Sequence, residues 1–323
     1  MREIMELNTV LQGDSRKMLK TLPDESIDCC VTSPPYYALR DYGIENQIGL
    51  EQTPEAYIDA LVEVFREVKR VLKDDGTLWL NIGDSYWGSG SRGWNFTGKW
   101  SDASAVQQNS KGTEDLSRVP RLVGTSSNGI KNKDMIGIPW MLAFALRSDG
   151  WYLRQDIIWE KPNPMPESVT DRCTRSHEYI FLLSKKPHYY FDHEVIKEVA
   201  VTGETVRDKN AEGYQADYPK GERFSKGAHV YGKGGMRNKR DVWNVPVKPI
   251  KESHFATFPE NLIKPCILAG CREGGVVLDP FFGSGTTGRV ATEHGRNYIG
   301  IELNPEYISI SEKRTNNIQL SFI

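Results

Sequence analysis

A short apolar run that ends in an acid and leads into a glycine-rich turn constrains the fold of this chain most strongly. The run is Gly275-Val276-Val277-Leu278-Asp279, and the turn that follows contains Gly283 and Gly285 before a helix-like stretch. This order is typical of the first strand, turn and helix of a nucleotide-binding α/β fold. The glycines would let the backbone approach a ligand, and the helix start offers free N–H groups to a carboxylate. The lysine of a phosphate-binding loop is absent, so the alternatives are another ligand or a tight turn alone.

A second predicted strand, residues 297–303, contains Glu302 near its end. An acid at this place in the fold is well positioned to bind the hydroxyls of a ribose. The alternative is that Glu302, which precedes Asn304-Pro305, is only a helix-start acid.

Strand-like runs alternate with helical patterns along the rest of the chain. The predicted strands are 7–11, 27–32, 77–82, 151–159 and 179–183, and the predicted helices are 15–22, 53–72 and 138–146. Such alternation predicts a mostly parallel sheet with ligands at the carboxyl edge of its strands. Four polar residues fall at strand ends and should share one site: Asp14, Ser33, Asp84 and Asp279. The C-terminal strand-helix-strand would form the cofactor half, which makes the chain a circular permutation.

The sequence Thr32-Ser33-Pro34-Pro35-Tyr36 directly follows the second predicted strand. Two prolines fix the backbone and remove two N–H donors, so their carbonyls are presented rigidly beside a hydroxyl and an aromatic ring. Such a loop can accept hydrogen bonds from a planar amino group while the ring stacks on the base that carries it. The alternative is a Pro-Pro turn in which Tyr36 packs at an edge.

Composition limits the class of protein. With 323 residues the chain can bury an ample core, and its net charge of -2 means that any nucleic-acid surface must be local. The five cysteines include no C-x-x-C pair, so we expect core thiols rather than zinc or disulfides. No apolar leader or membrane-length run is present, which favours a soluble, cytoplasmic protein.

Two stretches interrupt the alternation, 85–134 and 186–251, and both are longer than ordinary loops. Within the second, residues 220–240 carry seven Lys and Arg against one acid, interleaved with aromatic residues, Gly and Asn. This pattern suits phosphate contacts and base readout, although a solvated basic surface is the alternative. The candidate DNA-binding residues are Lys220, Arg223, Lys226, Lys233, Arg237, Lys239 and Arg240.

The proline loop and the late glycine-rich turn, in this order, resemble the beta group of amino DNA methyltransferases, which use S-adenosyl-L-methionine. Further stretches that look like motifs of this family are Gly13-Asp14-Ser15, Asp75-Gly76-Thr77-Leu78-Trp79-Leu80-Asn81, Ile158-Trp159-Glu160-Lys161-Pro162-Asn163-Pro164-Met165-Pro166, His177-Glu178-Tyr179-Ile180-Phe181 and His254-Phe255-Ala256-Thr257-Phe258-Pro259. The resemblance implies a Rossmann-like, mostly parallel, seven-stranded and circularly permuted sheet. It further implies a catalytic half (1–185), an inserted target-recognition region (186–251) and a cofactor-binding half (252–323).

The resemblance also implies roles for individual residues. The Ser33 hydroxyl and the Pro34 carbonyl would accept from the target amine, with Pro35 fixing the loop and Tyr36 stacking on a flipped base. The implied cofactor-binding residues are Asp14, Thr257, Phe258, Asp279, Phe281, Gly283, Ser284, Gly285, Thr286 and Glu302. Asp14, assigned to the adenine amine, could equally cap the helix after it. His177 and Glu178 with Arg172 and Arg175 are expected to form an ion network that supports the catalytic loop, not a metal site.

In this family, Ser before Pro-Pro-Tyr goes mostly with cytosine N4, and Asp or Asn with adenine N6. Ser33 therefore predicts N4 methylation of cytosine in double-stranded DNA, with adenine N6 as the alternative. An RNA or protein methyltransferase is a further alternative, but it would not explain the late glycine-rich turn together with the long basic insertion. A homodimer and a cognate restriction endonuclease are partners that the resemblance allows.

Overall fold

The computed structural model describes residues 5–88, 120, 122, 129–199, 236–247 and 258–319. Its strands are β1 (Thr9–Gln12), β2 (Ile27–Thr32), β3 (Leu72–Ile82), β4 (Tyr152–Glu160), β5 (His177–Ser184), β6 (Glu198–Val199), β7 (Met236–Arg237), β8 (Val242–Asn244), β9 (Val276–Asp279) and β10 (Asn297–Glu302). Its helices are α1 (Ser15–Met18), α2 (Pro54–Val71), α3 (Ile138–Ser148), α4 (Glu260–Gly270), α5 (Thr286–Glu293) and α6 (Pro305–Gln319).

The strands form one large sheet in the order β1-β10-β9-β2-β3-β5-β4-β8, and β6 and β7 form a separate two-stranded ribbon. Every pairing in the large sheet is parallel except those of β5, which runs antiparallel between β3 and β4. The predicted Rossmann-like, mostly parallel sheet is confirmed. It has eight strands in the described residues and not seven, because the short β8 pairs with the edge strand β4.

The two ends of the chain meet inside the sheet. Strand β10 pairs with β1, where Thr9 lies opposite Ile299, and β9 pairs with β2, where Cys29 lies opposite Val277. The C-terminal strands therefore occupy central positions between the first two strands of the chain. This is the connectivity that the predicted circular permutation requires.

Helix α2 shows how the sequence builds one face of the core. Thr53 caps the helix by accepting a hydrogen bond from the Ala56 N–H at 3.2 Å, and Pro54 occupies the first helical position. Its apolar residues recur at helical spacing, and Leu61 and Phe65 are fully buried. Burying each such side chain contributes roughly 1.5–3 kcal/mol. Helices α4 and α5 cover the opposite face of the sheet with a second apolar cluster.

Two predicted element boundaries differ from the structure. The helix expected over 15–22 ends as an α-helix at Met18 and continues as a 3₁₀ turn, Leu19–Thr21. The strand expected from residue 77 begins at Leu72, because the pairing between β2 and β3 contains a register shift that accommodates additional residues.

The predicted target-recognition region is in part attached to the main sheet. Tyr189, Phe191 and Ile196 pack against the apolar cluster beneath α4, and β8 extends the sheet beside β4. The division of the chain into two core halves and an insert remains a prediction.

Within the described ranges, no helix has the length and apolar character needed to cross a membrane. Four cysteines are buried free thiols, as expected: Cys29, Cys30, Cys266 and Cys271. The expectation of a core position is wrong for Cys173, which lies exposed in the loop between β4 and β5.

Candidate active site

A cavity of about 260 Å³ opens where the parallel strands end. It brings together most of the residues singled out in the sequence, from both ends of the chain. Those that line it are Ser33, Pro34, Pro35, Tyr36, Asp14, Phe258, Asp279, Phe281, Gly283, Ser284, Thr286 and Glu302. The proline loop and the glycine-rich turn therefore face one shared space.

The Asp279 carboxylate organises the glycine-rich turn from within. It accepts hydrogen bonds from the hydroxyls of Thr32 and Thr287, both at 2.6 Å, and from the Phe281 N–H at 3.0 Å. These bonds tie β2, β9 and the start of α5 together below the cavity. Burial raises the pKa of the Asp279 carboxyl to about 6, although the three donors oppose that rise.

Phe282 anchors the same turn through glycines whose role the sequence did not reveal. A Cβ added at Gly300 would lie 2.4 Å from the Phe282 ring, and one added at Gly288 would lie 2.6 Å from it. The ring also stacks on Tyr298 with a centroid distance of 5.4 Å. The two glycines therefore leave the space in which this ring fixes the turn.

Glu302 presents a carboxylate at the opposite side of the turn. Its oxygens accept from the Gly283 N–H and the Asn304 N–H, both at 2.7 Å. Burial raises the pKa of Glu302, and these donors counteract the rise. Asn304 caps the start of α6 through a 2.9 Å bond from the Glu306 N–H, so the role of Glu302 as the helix-start acid is not supported. Its predicted contact with a ribose remains a prediction.

Asp14 caps the short helix α1, as one of the two interpretations expected. Its carboxylate accepts from the Arg16 N–H at 2.8 Å and from the Arg16 guanidinium at 2.6 Å. These contacts with Arg16 lower the pKa of Asp14, although burial opposes them. The same guanidinium donates to the Asn46 carbonyl at 3.1 Å, which links Asp14 to a segment over the cavity. Binding of an adenine amine by Asp14 remains a prediction.

Three of the residues expected at the site stand apart from the cavity or outside the described residues. Gly285 does not line the cavity; it begins α5 in a left-handed conformation, and an added Cβ would lie 2.7 Å from the Ser311 side chain. Asp84 caps α3 through the N–H groups of Gly137 and Ile138, so the expectation that it shares the site is wrong. Thr257 lies outside the described residues.

The proline loop is held from both sides. The Tyr57 hydroxyl donates to the Pro35 carbonyl at 2.8 Å, and the Tyr36 hydroxyl donates to Glu178 Oε2 at 2.6 Å. Tyr36 lines the cavity, so its position is not that of an edge residue with only a packing role. Burial of the hydroxyl and the charge of Glu178 raise the pKa of Tyr36 well above its usual value, which keeps the phenol neutral.

Glu178 is the main polar partner that the sequence pattern only partly revealed. Its second oxygen pairs with the Lys161 ammonium, and Asn81 Nδ2 donates to Oε2 at 3.3 Å. All three residues line the cavity. The expected support of the catalytic loop is therefore found at Glu178, in contact with Tyr36.

The rest of the expected ion network is arranged differently. Arg172 pairs with Glu167 and Arg175 approaches Asp84, so neither completes a network around Tyr36. The described part of the chain contains no cluster of His, Cys, Asp and Glu that could hold a metal ion.

A segment after the proline loop forms a wall of the cavity that the sequence analysis missed. It contributes Leu39, Arg40, Tyr42, Ile44, Asn46, Gln47 and Ile48, and Tyr307 of α6 lines the same wall. Tyr42 and Tyr307 contact edge to face, with ring centroids 6.2 Å apart. The segment has no helical or strand periodicity, so the sequence carried no signal for its position.

The three described members of the predicted DNA-binding set lie away from the cavity lining. Arg237 and Arg240 both donate to Glu198 Oε1 at 2.9 Å, and the Lys239 ammonium lies 4.9 Å from the Trp243 ring centroid. Lys220, Arg223, Lys226 and Lys233 lie outside the described residues.

The buried carboxyl of Asp279 should make stability depend on pH. Its folded-state pKa is raised from 3.8 to about 6, so the folded protein holds this proton more tightly than the unfolded chain does. The stabilisation is complete below about pH 4 and is lost as pH rises through about 6. Between pH 5 and pH 7 we expect Asp279→Asn to gain about 1 kcal/mol in unfolding free energy relative to the unmodified protein. Urea denaturation of both proteins at the two pH values measures this; an identical pH response would contradict it.

Comparison with known proteins points to one family. Residues 27–313 match the family model described as DNA methylase. The chain is 49% identical over 314 residues to the Type II methyltransferase M.Cfr9I of Citrobacter freundii, covering 97% of this chain and 89% of that protein. It is 49% identical over 305 residues to the Type II methyltransferase M.SmaI of Serratia marcescens, covering 94% and 89%.

Solved structures share the fold at lower identity. The cytosine-N4-specific PvuII DNA methyltransferase matches with a TM-score of 0.61 at 18% identity, covering 96% of this chain and 89% of that one. The complex of M1.HpyAVI with S-adenosylmethionine matches with a TM-score of 0.52 at 17% identity, covering 95% and 98%. At these identities the likeness concerns the fold alone.

Proposed function

The chain belongs to the DNA methylase family whose members methylate exocyclic amines, and we propose that it acts on cytosine N4 at a specific sequence of double-stranded DNA. Adenine N6 is the alternative target. The observation that carries the proposal is the position of the Ser33 hydroxyl, which shares one cavity with the glycine-rich turn and Glu302. The relatives' designation as Type II methyltransferases supports a place in a restriction-modification system.

The cofactor is S-adenosyl-L-methionine, which supplies a methyl group from a sulfonium. We propose that the turn from Asp279 to Thr286 holds its methionine end, with Phe281 and Phe258 against it and Glu302 on the ribose. Gly283 donates its N–H to Glu302, so the turn and the carboxylate form one surface. Asp14, at the end of β1, would take the adenine amine at the far side of the cavity.

The difficult reactant is the target amine. Its lone pair is shared with the ring, so it is a poor nucleophile until acceptors orient its hydrogens and stabilise the charge that develops. The Ser33 hydroxyl and the Pro34 carbonyl would serve as these acceptors, while Tyr36 stacks on the flipped base. A hydroxyl both donates and accepts, so Ser33 can serve an amine that lies next to a ring nitrogen, as in cytosine.

The target base is tested by the product. The protein is incubated with tritiated S-adenosylmethionine and unmethylated DNA, and the digested nucleosides are identified by mass spectrometry. We expect N4-methylcytosine, and a lower turnover for Ser33→Ala. Detection of N6-methyladenine alone would overturn the cytosine assignment. Transfer of label to RNA or protein but not to DNA would overturn the substrate class.

DNA binding is proposed to use the basic residues between 220 and 240. The structure refines the test, because Arg237 is half-buried against Glu198 whereas Arg240 has a side chain 63% exposed. We therefore expect Lys239→Gln with Arg240→Gln to weaken DNA binding and to reduce the log-log salt slope by about two units, close to one for each phosphate contact. Cofactor affinity should not change. The matched control is Arg66→Gln, which removes an exposed arginine paired with Asp149 and not in the cavity lining.

An unchanged salt slope in the Lys239 and Arg240 variant would place the DNA surface elsewhere, and 85–134 is then the next candidate. A homodimer and a cognate restriction endonuclease remain predictions about partners.

A further inference from the structure

Methylation of an exocyclic amine leaves a surplus proton in the cavity. When the amine lone pair bonds to the methyl carbon, the carbon–sulfur bond breaks and its electron pair stays on sulfur. The nitrogen is then positively charged and must release one of its hydrogens. The acceptors assigned to that amine, a serine hydroxyl and a proline carbonyl, cannot keep the proton, because neither is basic in water.

A chain of hydrogen bonds leads from Ser33 to a carboxylate. The Ser33 side chain hydrogen bonds to the Tyr36 hydroxyl, and its effect is to lower the pKa of that phenol, which identifies Ser33 as the donor. The Tyr36 hydroxyl in turn donates to Glu178 Oε2 at 2.6 Å. Because the serine hydrogen is directed at Tyr36, the serine lone pairs are the part of the group left to accept from the target amine.

The surroundings of Glu178 suit an ionised proton acceptor. Lys161 pairs with its other oxygen, and the Asn81 amide donates to Oε2 at 3.3 Å, so the charged carboxylate is compensated. The Glu178 side chain is 14% exposed, so it lies between the cavity and solvent. Tyr36, Asn81, Lys161 and Glu178 all line the cavity that holds Ser33.

We propose that Glu178 accepts the proton released by the target amine, through a relay in which Ser33 and Tyr36 pass it on. The amine proton moves to Ser33 Oγ as the serine hydrogen moves to Tyr36 Oη and the tyrosine hydrogen moves to Glu178 Oε2. Ser33 and Tyr36 regain their starting forms, Glu178 becomes neutral, and it then releases the proton to water. The inference rests on the proposed role of Ser33, but not on the identity of the base, because either amine must lose a proton.

The test separates proton transfer from base positioning. Tyr36→Phe keeps the aromatic ring and removes the relay hydroxyl, and Glu178→Gln keeps a hydrogen-bond acceptor but removes the basic group. Each should slow single-turnover methyl transfer by about tenfold or more, the lower range of general acid–base effects. The double variant should be no slower than the slower single variant, because both changes interrupt one relay.

Two readouts should stay at the unmodified level in these variants: the calorimetric affinity for S-adenosylhomocysteine, and the fluorescence of 2-aminopurine placed beside the target base, which reports flipping. The matched control is Glu160→Gln, since Glu160 lies at the end of β4, is exposed, bonds to Asn244 and does not line the cavity. Its transfer rate should equal that of the unmodified protein.

Methyl transfer at the unmodified rate by Glu178→Gln would overturn the relay. A loss of flipping or of cofactor affinity that accounts for the slower transfer would also overturn it, in favour of a purely structural role. Failure of the cytosine assignment is separately visible as N6-methyladenine in digests made with the unmodified protein.

Discussion

Replacing Tyr36 with alanine is expected to reduce single-turnover methylation by roughly two orders of magnitude while leaving cofactor affinity nearly unchanged. Stacking of a base on an aromatic ring contributes about 1–3 kcal/mol, and 3 kcal/mol corresponds to a factor of about 150. The ring lines the cavity, and its hydroxyl is held by Glu178 rather than by the glycine-rich turn. Loss of the ring should therefore affect the base and not the sulfonium.

A partial rescue distinguishes this role from a structural one. Target bases in mismatched or single-stranded DNA need less unstacking energy, so Tyr36→Ala should recover part of its activity on them. Gly83→Ala provides a second variant with the ring retained, because the added Cβ would lie 2.7 Å from Tyr36 Cε2 and displace the ring. Loss of cofactor affinity equal to the loss of activity would instead assign Tyr36 a structural role.

The parts of the site that the sequence predicted are those whose chemistry lies in consecutive residues. Proline, serine and tyrosine in one loop already define acceptors and a stacking surface, and glycines after Asp279 define a close backbone approach. The parallel strands place both loops at one edge, and the cavity confirms that they meet. Local sequence and strand direction were sufficient for this prediction.

The partners of Tyr36 depend on strand order, which no local pattern encodes. Strand β5 enters antiparallel between β3 and β4, and this register places Glu178 opposite Trp159 and beside Asn81. The amino end of β5 thereby reaches the edge where the parallel strands end. Glu178 could be predicted to support the loop, but its bond to Tyr36 could not, because it is 142 residues away in the chain.

Charge counting had a similar limit in the predicted target-recognition region. The density of Lys and Arg correctly describes composition, but it does not show which cations have partners within the protein. Glu198 accepts from both Arg237 and Arg240, and this acid lies 39 residues before the first of them. The number of phosphate contacts therefore cannot be read from the number of basic residues.

Replacing Glu302 with alanine is expected to weaken cofactor binding by about a hundredfold or more. Hydrogen bonds to a charged group contribute roughly 1.5–3 kcal/mol each, and a ribose offers two hydroxyls to this carboxylate. The change also frees the N–H groups of Gly283 and Asn304, which Glu302 now accepts at 2.7 Å. Affinity could thus fall either through lost ribose contacts or through a loosened turn, and the two causes need separate measurements.

Deoxyribose analogues of S-adenosylhomocysteine separate these causes. The unmodified protein should bind the 2′-deoxy and 3′-deoxy analogues more weakly than the parent compound, because each lacks one hydroxyl donor to the carboxylate. Glu302→Ala should bind parent and analogues alike, since the group that distinguishes them is gone. Glu302→Gln retains one acceptor oxygen and should fall between the two. If Glu302→Ala still discriminates against the analogues as strongly as the unmodified protein, the ribose is bound by another residue and Glu302 serves the turn alone.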